Sequence, residues 1–142
     1  MLFVTKIFYF EMAHAIFGYP GACRNIHGHS YKLHVSVSSA SGSEDYIPTP
    51  GFEIDFKEIK KVVAESVIKS LDHKLVLSRD YLAQHPTLLS QENLVAWEAE
   101  PTAENLLIYI RRLLENSLPD GVKLAKLKIY ETKDSYAEWM KT

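Results

Sequence analysis

The stretch Cys23-Arg24-Asn25-Ile26-His27-Gly28-His29 joins the only cysteine of the chain to two of its six histidines. From His27 the odd positions run His27, His29, Tyr31, Leu33, Val35 and Val37, and the even ones Gly28, Ser30, Lys32, His34, Ser36 and Ser38. Successive strand side chains point to opposite faces. One face is therefore apolar and begins with two imidazoles, and the other is polar. Same-face positions lie roughly 6.6–6.8 Å apart, so two histidines flanking a glycine can lean onto one metal ion. Zinc needs a third ligand and, for catalysis, an open fourth position. His14 is the candidate third, closing the phrase Phe10-Glu11-Met12-Ala13-His14. Without that third ligand, a pair of hydrogen-bonded histidines at a strand edge would explain His27 and His29 equally well.

Three further positions carry chemical potential. Asp72-His73 falls where a helix should end, either as a helix terminus whose imidazole meets the last carbonyls or as a carboxylate–imidazole pair that moves a proton. Glu131 ends the apolar stripe Ala125, Leu127, Ile129. A buried carboxylate needs donors, so Glu131 is either exposed or receives N–H groups from a ligand, and an amino-pyrimidinone edge would suit it. Cys23 is packing or a reactive thiol. His34 and His85 read as surface residues.

These residues need elements to hold them. Leu2 to His14 reads as a long strand, with Val4, Phe8, Phe10 and Met12 on one face and Phe3, Ile7 and Tyr9 on the other. Apolar residues on both faces predict helices over one and another subunit over the other. Phe17 to Gly21 is a loop, and the strand from His27 pairs back as a long hairpin before the polar Ser38 to Asp45 segment. Asp55 caps a helix with Phe56, Ile59, Val63, Val67 and Leu71 at helical spacing. Ser78 to Glu100 is the least readable part, with a short helix near Tyr81 or a flap. Thr102 caps a second helix whose inner stripe is Leu106, Ile110, Leu113 and Ser117, helped by Leu107 and Leu114. Two strands follow, Val122 to Thr132 and Ser135 to Met140. The order ββααββ predicts one α+β domain over residues 1–142, with a four-stranded antiparallel sheet and two helices on one face.

Composition narrows the class. The 142 residues suit one domain with a core. Apolar residues make up 46% and charged residues 24%, ordinary globular values. A net charge of −2 leaves no footprint for nucleic acid or an anionic membrane. No apolar run has the length of a membrane span, no stretch reads as a signal peptide, and a single cysteine suits a reducing compartment. The expected location is the cytoplasm.

With these pieces placed, the chain resembles the 6-pyruvoyl-tetrahydropterin synthase family, most of all its 6-carboxytetrahydropterin-forming branch from queuosine biosynthesis. The resemblance rests on Phe10 to His14, Cys23 to His29 with Tyr31, Ile54-Asp55-Phe56, Leu71-Asp72-His73, Pro101-Thr102-Ala103-Glu104-Asn105 and Glu131-Thr132. It implies the T-fold, in which three subunits form a barrel, two trimers stack into a hexamer, and active sites lie at subunit interfaces. It also implies zinc on His14, His27 and His29, Cys23 as base, proton transfer by Asp72 and His73, and a pterin anchored by Glu131. The implied substrate is 7,8-dihydroneopterin triphosphate, processed by a lyase reaction. A pyruvoyl-forming synthase and a non-catalytic pterin-binding protein are the alternatives. Cys23 precedes His27 with three residues between, as in the carboxy-forming branch. Two features depart from the family pattern: Ser78 to Glu100 is longer than expected, and Met12 stands where a small residue is more usual.

Overall fold

In the computed structural model, residues 1–39, 41, 42 and 44–142 are described. Ala40 and Ser43, in the polar stretch after the second strand, lie outside them. β1 (Val4–His14) and β2 (His27–Ser39) form the predicted antiparallel hairpin, in unbroken register from Val4 opposite Val37 to His14 opposite His27. That register puts the last residue of β1 beside the first of β2. All three candidate histidines thus meet at one end of the hairpin.

Alternation decides which face is covered. Phe8, Phe10, Met12 and His14 of β1 are buried, as are Tyr31, Leu33, Val35 and Val37 of β2. Two helical segments, side by side, cover this face. α1 (Phe56–Val63) is capped by Asp55, whose carboxylate accepts the Lys57 N–H at 2.8 Å. It continues through a π-helical turn, Ala64–Ile68, into α2 (Lys69–Leu71). There the Ser66 hydroxyl donates to the Val62 carbonyl and the Ser70 hydroxyl to that of Ser66, competing with the backbone ladder. Ile59, Val63, Val67 and Leu71 are buried as the stripe requires, whereas Phe56 stays exposed at the helix start. α4 (Ala103–Glu115) is capped by Thr102. It buries Leu106, Leu107, Ile110 and Leu114, while Leu113 is only partly buried and Ser117 falls beyond the helix end. Fully burying each such side chain contributes roughly 1.5–3 kcal/mol.

The sheet is not the expected four-stranded antiparallel one. It has six strands in the order β4-β3-β1-β2-β5-β6. β5 (Val122–Thr132) and β6 (Ser135–Met140) lie antiparallel beyond β2, as expected. On the other side β3 (Lys74–Ser78) runs parallel to β1, and β4 (Leu94–Trp97) runs parallel to β3. The helices are not all on one face either. Val76 joins the main core, whereas Leu75 and Leu77 join a second cluster with Ala15, Tyr81 and Leu82. That cluster is roofed by α3 (Arg79–Gln84), the short helix expected near Tyr81. A strand buried on both faces shows no alternation, which is why Lys74 to Ser78 does not read as one. No helix among the described residues is long and apolar enough to cross a membrane.

Candidate metal centre and active site

His14, His27, His29 and Glu131 come together at the open end of the β1–β2 hairpin, each offering a ligand atom within 4.8 Å of the others. Sequence alternation accounts for the three imidazoles. Glu131 arrives by a different route. The β5–β6 register shifts between Tyr130 and Thr132, so Glu131 sits at the irregularity. Bulges of this kind re-aim a side chain, and here the carboxylate reaches His29, with Oε1 3.0 Å from Nε2.

Hydrogen bonds fix how the rings present themselves. His14 Nδ1 lies 2.7 Å from the Pro101 carbonyl oxygen, and His27 Nδ1 lies 2.7 Å from that of Asn25. A carbonyl only accepts, so both Nδ1 atoms carry their protons. The two Nε2 atoms then face each other at 3.1 Å, each with a lone pair when its ring is neutral. Burial pushes the pKa of His14 below its ordinary value, against the opposing pull of the Pro101 carbonyl and Glu131. Burial likewise lowers that of His29, against the attraction of Glu131. Burial thus works against a proton on His14 as the means of relieving the clash of lone pairs. His29 Nε2, although close to Glu131, is a buried nitrogen without a hydrogen bond. Three converging imidazole nitrogens, two of them with their far side tied to a carbonyl, are what a metal ion requires of its ligands and their outer partners. The residues present fit such an ion.

The outer partners were not legible in the sequence, because both are backbone carbonyls. Tyr31 completes the wall beneath the histidines. It is fully buried, its ring stacks on Phe10 at 5.1 Å, and burial pushes its hydroxyl pKa up, keeping it protonated.

Cys23 opens onto the same space. It lies in a short 3-10 turn, Ala22–Arg24, held against the end of β1 by the bond from Ile16 N–H to the Cys23 carbonyl at 2.9 Å. A cavity of about 350 Å³ is lined by His14, Tyr19, Cys23, Thr102, Glu104 and Glu131. Five expected residues, His14, His27, His29, Cys23 and Glu131, therefore share one neighbourhood within a single chain.

Asp72 and His73 do not join it. They follow α2 at the edge of β1, where the Glu11 N–H donates to Asp72 Oδ1 at 2.9 Å and the His73 N–H donates to the Glu11 carbonyl at 2.6 Å. The first of these bonds is the main reason the Asp72 pKa lies below the usual carboxylate value, with His73 adding to it. His73 Nδ1 lies 3.0 Å from Asp72 Oδ1, and its side chain is 78% exposed. His73 borders a second cleft, lined also by Glu11, Gly28, His29 and Asn93. His73 also holds φ at 61°, the left-handed region, and is the one non-glycine among the described residues to do so. That conformation costs about 1–3 kcal/mol, so the fold holds this imidazole outward at a cost. His85 is exposed, as expected. His34 is not the surface residue expected: its Nε2 is buried and unpartnered, and burial with Lys32, Lys128 and Lys126 around it lowers its pKa.

The chain is similar to known proteins in both sequence and fold. A family profile described as 6-pyruvoyl tetrahydropterin synthase matches residues 3–142. The chain is 29% identical over 146 residues to the 6-carboxy-5,6,7,8-tetrahydropterin synthase of Haemophilus influenzae, covering 98% of this chain and 99% of that one. It is 34% identical over 118 residues to the human 6-pyruvoyl tetrahydrobiopterin synthase, covering 81% and 68%. Among solved structures, the 6-pyruvoyl tetrahydropterin synthase of Caenorhabditis elegans superposes with a TM-score of 0.69 at 20% identity, covering 99% of this chain and 96% of that one. A profile that spans nearly every residue, on a fold and a histidine cluster of this kind, leaves one assignment: the chain belongs to the 6-pyruvoyl tetrahydropterin synthase family.

Proposed function

We propose that this protein is a zinc-dependent 6-carboxy-5,6,7,8-tetrahydropterin synthase. In this reading it converts 7,8-dihydroneopterin triphosphate and water to 6-carboxytetrahydropterin, acetaldehyde and triphosphate, as a cytoplasmic step of queuosine formation. The observation that carries it is the facing pair of Nε2 atoms on His14 and His27, with His14 also lining a cavity that Cys23 and Glu131 share. His14, His27 and His29 would hold the zinc. When bound, zinc polarises the hydroxyls of the substrate side chain and makes the neighbouring C–H more acidic.

The chain's own residues do the rest. Glu131, beside the histidines, accepts N–H bonds from the pterin and orients its side chain toward them. Cys23, fixed by the Ile16–Cys23 bond, is the base that takes the proton from the side-chain carbon. Asp72 orients His73, which returns a proton to the product. Since His73 is exposed and lines a different cleft from the one that holds Cys23, the pair serves the Cys23 cavity of a neighbouring subunit. The assembly in this reading is a homohexamer of two trimers, and the exposed apolar residues Ile7, Tyr9, Tyr136 and Met140 supply contact surface for it.

The carboxy-forming reaction is supported by the short connection from Cys23 to His27 and by the near full-length likeness to the Haemophilus protein. The identity to the human pyruvoyl-forming enzyme keeps a second reading in view, elimination of triphosphate alone. Incubation with 7,8-dihydroneopterin triphosphate and trapping of the aldehyde separates them. Acetaldehyde in step with triphosphate is expected. Triphosphate with a pyruvoyl product and no acetaldehyde gives the second reading its place, and no turnover at all rejects both.

A further inference from the structure

Beside the Cys23 cavity lies a second one of about 440 Å³, lined by Phe17, Tyr19, Arg24, Asn25, Tyr81 and His85. The two share Ile16 and Tyr19, so they are neighbours with one wall in common. That wall is held from below: a Cβ at Gly21 would lie 2.6 Å from the Tyr19 ring. The tyrosine therefore rests directly on the glycine backbone.

Two groups in the second cavity have no partner that explains them. Arg24 is exposed, and among the described residues its guanidinium makes no ion pair or hydrogen bond. His85 stacks on Tyr81 at 4.5 Å, and Tyr81 is itself buried. The imidazole is thus held in place while its ring nitrogens face no protein acceptor. The nearby acid is already engaged, since Glu100 Oε1 accepts the Phe17 N–H at 2.7 Å.

We propose that this second cavity receives the triphosphate of the substrate, with Arg24 as its main contact and His85 as a second one. The inference rests on the pterin reading above. Cys23 and Arg24 are consecutive in a turn with three residues per helical revolution, so their side chains diverge, one into each cavity. Glu131 and the histidines fix the pterin and its side chain in the first cavity, and the phosphate tail must leave that space past Cys23. The shared wall leads it to Arg24. A guanidinium presents five donors in a fork that matches phosphate oxygens in pairs. A chain with net charge −2 otherwise repels a polyanion, and no glycine-rich phosphate loop is available to it. His85 belongs to the Ser78 to Glu100 segment, so the length of that segment acquires a use: it carries α3 over to complete the anion seat.

The sheet face opposite α1 offers a competing seat. Lys32, Lys126 and Lys128 cluster there around His34. Lys126 is already paired with Glu138 at 3.1 Å, and Lys128 lies over the Tyr136 ring at 4.0 Å. Lys128→Met therefore serves as the control.

The test compares wild type with Arg24→Ala, Arg24→Lys, His85→Ala and Lys128→Met in the metal-loaded protein. Calorimetry gives the affinity for inorganic triphosphate and, separately, for unphosphorylated 7,8-dihydroneopterin, and kinetics give KM for the triphosphate ester. Arg24→Ala should weaken triphosphate binding and raise KM roughly tenfold or more. Arg24→Lys should recover part of the loss, and His85→Ala should cost roughly threefold. Metal content and dihydroneopterin affinity should stay at wild-type values throughout. Unchanged triphosphate affinity in Arg24→Ala overturns the proposal. So does an equal loss of dihydroneopterin affinity, or a larger effect from Lys128→Met. A wild type that binds inorganic triphosphate through Arg24 yet ignores both pterins would instead remove the pterin reading and leave the anion seat standing.

Discussion

The two faces of the central sheet are built to different ends. The face under α1 and α4 buries Phe10, Met12, Tyr31 and Leu33 and ends in a ligand set that one chain completes unaided. The opposite face carries Ile7, Tyr9, Lys32, Tyr136 and Met140, exposed or half-buried, with α3 covering only the β3 end. Asp72 and His73 border this second side, Asp72 accepting the Glu11 N–H and His73 lining the cleft with Glu11 and Gly28. The contrast separates two properties that a metalloenzyme usually merges. On the reading proposed above, holding a metal would be a property of the folded chain, whereas bringing Asp72 and His73 to Cys23 would be a property of the assembly.

The largest effect should come from the first face. His27→Ala removes one Nε2 and leaves the carbonyl of Asn25 without its donor. We expect loss of bound zinc by metal analysis. Turnover should fall about a thousandfold, since a metal supplies several kcal/mol of transition-state stabilisation. Zinc retained at full stoichiometry would mean the cluster is not the metal site. Cys23→Ala should cut turnover by about a hundredfold, the low end for losing a general base, with zinc content and melting temperature unchanged. Full activity in that variant would remove the base from the mechanism.

The second face is tested by Tyr9→Glu. Tyr9 is 69% exposed in the single chain, so a charge there costs the lone fold little. In light scattering the variant should shift toward smaller species, and turnover should fall with the dissociated fraction while zinc stays bound. If the variant remains fully assembled and active, this face is not a subunit contact. If it loses zinc as well, the two properties are not separable.

How much of this was readable in the sequence follows the same division. In β2 and β5 one apolar face alternates with a polar one, so the shared face of His27 and His29 was readable from spacing. β1 is apolar on both faces, and its register against β2, which brings His14 to His27, is a matter of the fold. The caps Asp55 and Thr102 were legible for a local reason, a side-chain oxygen placed just ahead of an apolar stripe. The β3–β4 wing was not. Leu75, Val76 and Leu77 are buried on both sides, and β4 has only four residues, so neither shows a period. Glu131 was singled out as an odd acid on an apolar stripe, yet its closeness to His29 depends on an irregular register that no spacing rule announces. The separation of Asp72 and His73 from Cys23 is likewise a matter of three-dimensional placement, invisible until β3 is laid beside β1.

The smallest expected effect sharpens the comparison at that edge. Asp72 ties the second side to β1 through the Glu11 N–H and faces His73. Its folded pKa lies below the ordinary 3.8, so the fold favours the charged form. The sign follows directly. The contribution to stability is fully present above the unfolded value and is lost as pH falls through the folded one. Asp72→Asn keeps an oxygen for the Glu11 N–H but removes the charge. In metal-free protein, the denaturation free energies of wild type and variant should differ by less than about 1 kcal/mol near neutral pH, since the group is partly exposed. The gap should hold steady down to about pH 5 and close as pH falls below 3.8, where the wild-type carboxylate takes up its proton. Groups that do not touch Asp72 are the same in both proteins and cancel from the difference. A gap that stays constant into strong acid would show that Asp72 holds β1 by its geometry rather than by its charge, and would leave the orientation of His73 to the backbone alone.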